Sequence, residues 1–163
     1  MNAPQAVLRP TAVGALYVLH PGDVVCAERG DRVETLLGSC IAVVLTDPRR
    51  TLGAVCHLVH AGAGSGAHVT AAHGAVAFET MDALLALRGI HSRLCEAYVY
   101  GGGNMFPQQV SGPHVGASNA AWTLELLRQR GIRVLHEDVG GHGYRRLSWT
   151  VGADSPQVVQ VNL

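Results

Sequence analysis

The stretch LGSCIAVVLTDPRRTLGAVCHLVH, residues 37–60, consists of two apolar runs separated by a turn. Asp47-Pro48-Arg49-Arg50 reads as a type I turn with Pro at its second position. Closed as a two-residue hairpin loop, it pairs Thr46 with Thr51. Cys40 then lies directly opposite His57, with Cβ atoms ~5 Å apart. Side-chain alternation puts Ile41, Val43, Leu45, Leu52, Ala54, Cys56 and Leu58 on one apolar face, the expected core face. The other face carries Cys40, Thr46, Thr51, Gly53 and His57 and is expected to be open. The Cys56 thiol is therefore assigned to packing and the Cys40 thiol to chemistry. A slip of one residue would separate His57 from the Cys40 face.

A cysteine facing a histidine can act as a nucleophile, because an adjacent imidazole can lower the thiol pKa and the thiolate is the reactive form. Small residues at Gly38 and Ser39 would let a carbonyl carbon approach the sulfur, with backbone N–H groups near enough to hold an oxyanion. By itself the pair does not decide the matter, since such a pair is more often structural than catalytic.

The rest of the chain continues the alternating pattern. Further strands are expected at 13–19, 24–26 and 33–37, ahead of a Gly-rich surface loop, AGAGSGAH (61–68). Phe78, Met81, Leu84, Leu85 and Arg88 follow helical spacing, with Gly89 placed to end the helix. A strand at 93–100 runs into Gly101-Gly102-Gly103. A second helix carries Ala117, Ala121, Leu124 and Leu127 and ends near Gly131. Strands at 132–135, 146–151 and 157–161 complete the order, and LALRGI (85–90) echoes LRQRGI (127–132). Strands first, then helices mixed with strands, predict an α+β fold with mixed or antiparallel sheets and two main helices.

The 163 residues suit a single domain, 1–163, with 1–12 a loose lead-in. With 48% apolar and 15% charged residues the chain is globular, and 12 basic against 12 acidic residues give no field favouring nucleic acid. The apolar patch at 13–19 is too short to cross a bilayer, so no membrane insertion is expected. Four cysteines without CxxC spacing point to reduced thiols and a cytoplasmic location. In Cys56-His57-x-x-His60 the first two side chains point to opposite faces of a strand, so neither a metal nor another cofactor is expected. Gly101–Gly103 lacks the phosphate-binding patterns and reads as a tight strand-end turn. Cys26, Cys95, Trp122 and Trp149 read as packing residues, and His68, His73, His91, His114, His136 and His142 as surface or loop residues.

LLGSCIAVVLTDP with a His seventeen residues after the Cys resembles the signature of the CheD family. The resemblance continues through GGGNMF (101–106), VGASN (115–119) and EDVGG (137–141), in the family's order, over roughly residues 13–151. It implies a deamidase that converts glutamine side chains of methyl-accepting chemotaxis receptors to glutamate. It also implies a fold similar to that of cytotoxic necrotizing factor-type deamidases, a Cys40–His57 catalytic pair and a CheC-type phosphatase as a possible partner. Gly38, Ser39, Gly102 and Asn104 are the expected substrate-pocket residues. Some members place a catalytic Thr six residues before the Cys. Glu34 stands there and Thr35 one residue nearer, so either Thr35 is the third residue, through a small backbone shift, or a third residue is dispensable, and the sequence does not decide whether Glu34 or Thr35 fills the position. The rival reading is a non-catalytic module that docks on receptors or on a CheC-type protein.

Overall fold

The computed structural model describes residues 7–10, 14–66, 68–108 and 114–161. The first six strands are β1 (Val7–Pro10), β2 (Ala15–Leu19), β3 (Val24–Glu28), β4 (Arg32–Leu37), β5 (Ile41–Thr46) and β6 (Leu52–Leu58). Helix α1 (Gly74–Ala86) and a short 3-10 turn at Ser92–Leu94 lead to β7 (Glu96–Gly101). Helix α2 (Val115–Gln129), β8 (Arg133–Val139), β9 (Tyr144–Thr150) and β10 (Gln157–Val161) follow. The strands form two five-stranded sheets, ordered β1-β2-β4-β9-β10 and β3-β6-β5-β7-β8. Only β2–β4 and β7–β8 are parallel among these pairs. Among the described residues the fold is thus α+β with mixed sheets and two α-helices, as expected. Part of the expected lead-in is strand: β1 pairs antiparallel with β2, and its Pro10 sits at the sheet edge, where a missing N–H is tolerated. Residues 1–6 and 11–13 lie outside the described residues.

Strands β5 and β6 are buried along their whole length. On one side Ile41, Val43, Leu45, Ala54, Cys56 and Leu58 pack against Phe78, Met81 and Leu85 of α1 and Leu127 of α2. On the other side Ala42, Val44 and Val55 pack against Val33, Leu37, Leu147 and Trp149 of the other sheet. The layers therefore run helices, sheet, sheet. The face expected to be open is the interface between the two sheets. Ala42, Val44 and Val55 explain this: the runs are apolar at every position, the mark of a strand buried on both sides. Gly53 fits the same arrangement, because a Cβ there would collide with the Trp149 ring.

The hairpin register also differs from expectation. Thr46 pairs with Gly53, Ala42 with His57 and Ile41 with Leu58, a slip of two residues. The Asp47 side chain causes it. The Arg50 N–H donates to the Asp47 carbonyl (2.9 Å), and Arg50 then turns left-handed at φ 57°. Both carboxylate oxygens of Asp47 draw the next two residues into the turn, accepting from Thr51 N (2.8 Å), Leu52 N (3.0 Å) and Thr51 Oγ1 (2.7 Å). A slip of two keeps every side chain on its face. Cys40 and His57 still share one, now as diagonal neighbours.

The LALRGI and LRQRGI echo is a repeated helix stop. Gly89 (φ 74°) and Gly131 (φ 69°) are left-handed, and Ile90 N and Ile132 N each donate 3.0 Å back to Leu85 O and Leu127 O.

Asp47→Ala strands two backbone donors and the Thr51 hydroxyl at the end of the central hairpin. It is expected to lower stability by about 1–3 kcal/mol in denaturant unfolding. An unchanged midpoint would show that the carboxylate does not hold the turn.

Candidate active site

The chain leaves one sheet at Leu37 and enters the other at Ile41, so residues 38–40 are the crossover between the two sheets. All three crossover carbonyls are held. Gly38 O accepts from Gly103 N (2.9 Å), Ser39 O from Asn119 Nδ2 (3.1 Å) and Cys40 O from Gly102 N (2.9 Å). The approach is tight enough to require glycine at Gly101, which is left-handed at φ 114° and whose Cβ would collide with the Cys40 carbonyl. On the other side of the crossover, a Cβ on Gly38 would lie 3.1 Å from Met105 Sδ and 3.2 Å from Tyr144 Cε1.

Cys40 is half-buried and packs against the inter-sheet core. It precedes β5 by one residue and packs in the same inter-sheet layer as Ala42, whose partner is His57, so the register sets Cys40 diagonal to His57 instead of directly opposite it. His57 is 2% exposed. Its Nδ1 lies 2.7 Å from Thr35 Oγ1, on β4 of the facing sheet. The Thr35 hydroxyl has one proton and donates it to Leu19 O (2.9 Å). Nδ1 must therefore be the donor in the Thr35 contact, which leaves Nε2 with the lone pair. Glu34 occupies the opposite face of β4, paired with Arg32 at 2.8 Å. Between the two alternatives, Thr35 is the residue that meets His57.

The electrostatics reverse one expectation. Burial pushes the His57 pKa down to about 4, with the Asp23 carboxylate opposing and His20 adding to the shift. Burial pushes the Cys40 thiol up. The resting pair is a neutral thiol beside a neutral imidazole, not a thiolate stabilised by imidazolium.

Of the other expected pocket residues, Gly102 supports the crossover through its N–H on Cys40 O. Gly102 faces α2, where a Cβ would lie 2.7 Å from Gly116 O. Asn104 is a turn former: its N–H donates to Gly141 O (2.8 Å) and its Oδ1 accepts from Phe106 N (3.0 Å), leaving Phe106 67% exposed. Cys56 lies in the helix-side core, with its thiol pushed up to about 12 by burial. Two residues beside the site were given no role from the sequence, although Asn119 closes the VGASN stretch that carries the resemblance. Asn119, on α2, is buried beside the crossover. Arg145, also buried, donates to Gly101 O (3.2 Å) and Gly140 O (2.6 Å) and pairs with Asp138. Arg145 alternates in phase with the inward Leu147 and Trp149 of β9, and that phase was the available signal.

The sequence model of the family described as CheD chemotactic sensory transduction matches residues 60–155. Among curated relatives, the "Probable chemoreceptor glutamine deamidase CheD 2" of Albidiferax ferrireducens is 36% identical, covering 82% of this chain and 80% of its own length. The "Probable chemoreceptor glutamine deamidase CheD" of Pseudomonas savastanoi pv. phaseolicola is 34% identical, covering 90% and 81%. That of Caulobacter vibrioides (strain NA1000 / CB15N) is 34% identical, covering 86% and 74%.

Two outcomes follow from the charge states. Between about pH 6.5 and pH 4 the unfolded chain binds a proton at His57 that the folded chain refuses. The His57 contribution is thus complete above pH 6.5 and is lost as pH falls towards 4, on the order of 3 kcal/mol in all. Unfolding midpoints measured across that window should fall, and less steeply in His57→Gln; equal slopes would refute the buried neutral imidazole. The second outcome concerns Cys40. Its alkylation by iodoacetamide should inflect above the ordinary thiol value of about 8.5 and stay there in His57→Ala. A lower inflection that His57→Ala abolishes would instead reveal a resting ion pair.

Proposed function

The chain belongs to the CheD family, and from that premise we propose that it deamidates glutamine side chains of chemoreceptors, with Cys40 as nucleophile and His57 as proton carrier. The observation that carries the mechanism is the Thr35–His57 bond, which commits Nδ1 as a donor and leaves Nε2 as the base. The names of the relatives support the substrate.

The substrate carboxamide carbon meets the Cys40 sulfur as Nε2 takes the thiol proton, forming the S–C bond and a tetrahedral oxyanion. The C–N bond breaks as Nε2 returns that proton to the nitrogen, releasing ammonia and leaving a thioester. Water attacks the thioester carbon and gives a proton to Nε2. The S–C bond breaks, and the sulfur recovers the proton. The sum is amide plus water to carboxylic acid plus ammonia, and the acid ionises to glutamate. Thr35 holds the ring throughout. The Asp23 carboxylate, the charge that favours the protonated ring, eases the passing imidazolium.

Under this reading the chain is one deamidase domain, similar in fold to cytotoxic necrotizing factor-type deamidases. It works in the cytoplasm, where the free thiols Cys26, Cys40, Cys56 and Cys95 stay reduced. A CheC-type phosphatase is a candidate regulator.

Mass spectrometry of receptor peptides tests the reading, since replacing NH₂ by OH adds about one dalton. Wild-type protein should produce the shift, folded Cys40→Ala should not, and His57→Ala should be slower by ~10²–10⁴. No shift with wild-type protein, or full activity in Cys40→Ala, sinks the proposal. Receptor binding without a shift would mark a docking module.

A further inference from the structure

The β5–β6 ladder ends at Ile41 and Leu58. One residue beyond each strand end, at Cys40 and Val59, a side chain from outside the sheet takes the place of strand pairing. The Asn119 Nδ2 donates to Ser39 O on one strand extension (3.1 Å) and to Val59 O on the other (2.9 Å). Its Oδ1 accepts from Ala61 N (2.8 Å). Both amide protons and the carbonyl are thus in use, in a side chain 2% exposed. One buried amide spans the segment that carries Cys40, the segment two residues beyond His57 and the start of the loop at 61–72.

Helix α2 is itself pressed onto the same place. Gly116, one turn before Asn119, lies so close to the carbonyls of Gly102 and Gly103 that a Cβ would collide with both. Those two glycines donate to Cys40 O and Gly38 O. The first turn of α2 therefore grips the crossover directly through Asn119 and indirectly through Gly116.

We infer that Asn119 is a positioning residue for the deamidation, a splint that fixes the separation of Cys40 from His57 where the ladder no longer does. The inference deepens the function proposed above and rests on it. The reasoning is geometric. Cys40 and His57 are diagonal neighbours, and a diagonal across two strands changes length whenever the strands part. Nδ2 holds them together at the rung next to the sulfur. Misplacing reacting groups by about 1 Å costs up to ~10²-fold in rate.

The variants Asn119→Asp and Asn119→Ala test this. The first is nearly isosteric, keeps the acceptor for Ala61 and loses both donors. Its carboxylate meets the Ser39 and Val59 carbonyls, so turnover is read on whichever variant stays folded, where kcat should fall about 10- to 100-fold with KM within about twofold. Iodoacetamide labelling gives a second readout that does not depend on turnover. Below the melting temperature Cys40 should label faster than in wild type, because the loosened crossover exposes it. Cys56 and Cys95, in the helix-side core, should stay protected. Faster labelling confined to Cys40, together with slower turnover, is a combination that simple destabilisation does not give, since partial unfolding would expose all three thiols. If one of the two does not fold, the other decides. Wild-type kcat and wild-type Cys40 labelling in the folded variant would overturn the inference. If wild-type protein itself shows no deamidation, the proposed function fails, and Cys40 labelling alone judges the splint.

Discussion

His57 sits on a strand enclosed by helices on one face and a second sheet on the other, so its ring has almost no access to water. A polar group so placed must find a protein partner or cost the fold several times what a paired group costs. Thr35 supplies that partner from the facing sheet, and its hydroxyl is in turn held by Leu19 O. The hydrogen bond thus crosses between the sheets and fixes the tautomer at the same time. The neutrality of the ring and the availability of Nε2 follow from burial of the strand pair together with the single proton on a threonine hydroxyl.

The legible part of the fold was what one-dimensional pattern encodes. The apolar runs located β10 to the residue, and the helical spacing from Phe78 to Leu85 located α1. Face assignment survived a wrong register because the error was two residues, and side chains repeat every two. The register itself was hidden in the reach of one carboxylate, since a type I turn at Asp47 is compatible with several loop lengths. The second sheet was in principle visible in Ala42, Val44 and Val55, apolar residues on the face read as open. Asn119 and Arg145 were harder. The contacts that tie them to the site are to backbone carbonyls remote in sequence, Ser39 O and Val59 O for Asn119 and Gly101 O for Arg145, and a carbonyl leaves no trace in the identity of its residue.

The choice between Glu34 and Thr35 shows what alternation can decide once the layers are known. Val33 and Leu37 face the inter-sheet core, and Thr35 lies in phase with them. Glu34 is out of phase and turns to Arg32. A carboxylate in place of the Thr35 hydroxyl would have charged the pocket, favoured the imidazolium and raised the thiol pKa further. A hydroxyl orients the ring without adding charge. Thr35 stands five places before the cysteine instead of six, and β4 brings its hydroxyl to the His57 ring.

Thiol acidity does not single out Cys40. Burial raises the pKa of all four cysteines, Cys26, Cys40, Cys56 and Cys95. What separates Cys40 from the others is position: it stands on the crossover, outside the helix-side core, on the face that carries His57. A protonated thiol is a poor target for oxidants and stray electrophiles, which react with thiolate. Proton transfer to Nε2 is, under the proposed function, favourable only when a carbonyl carbon is in place to accept the sulfur electrons, so bond formation and proton transfer are tied together. Under the proposed function, the geometry that makes Cys40 inert at rest makes it selective in use. The demand falls on alignment rather than acidity, and for that reason the crossover has every one of its carbonyls tied down.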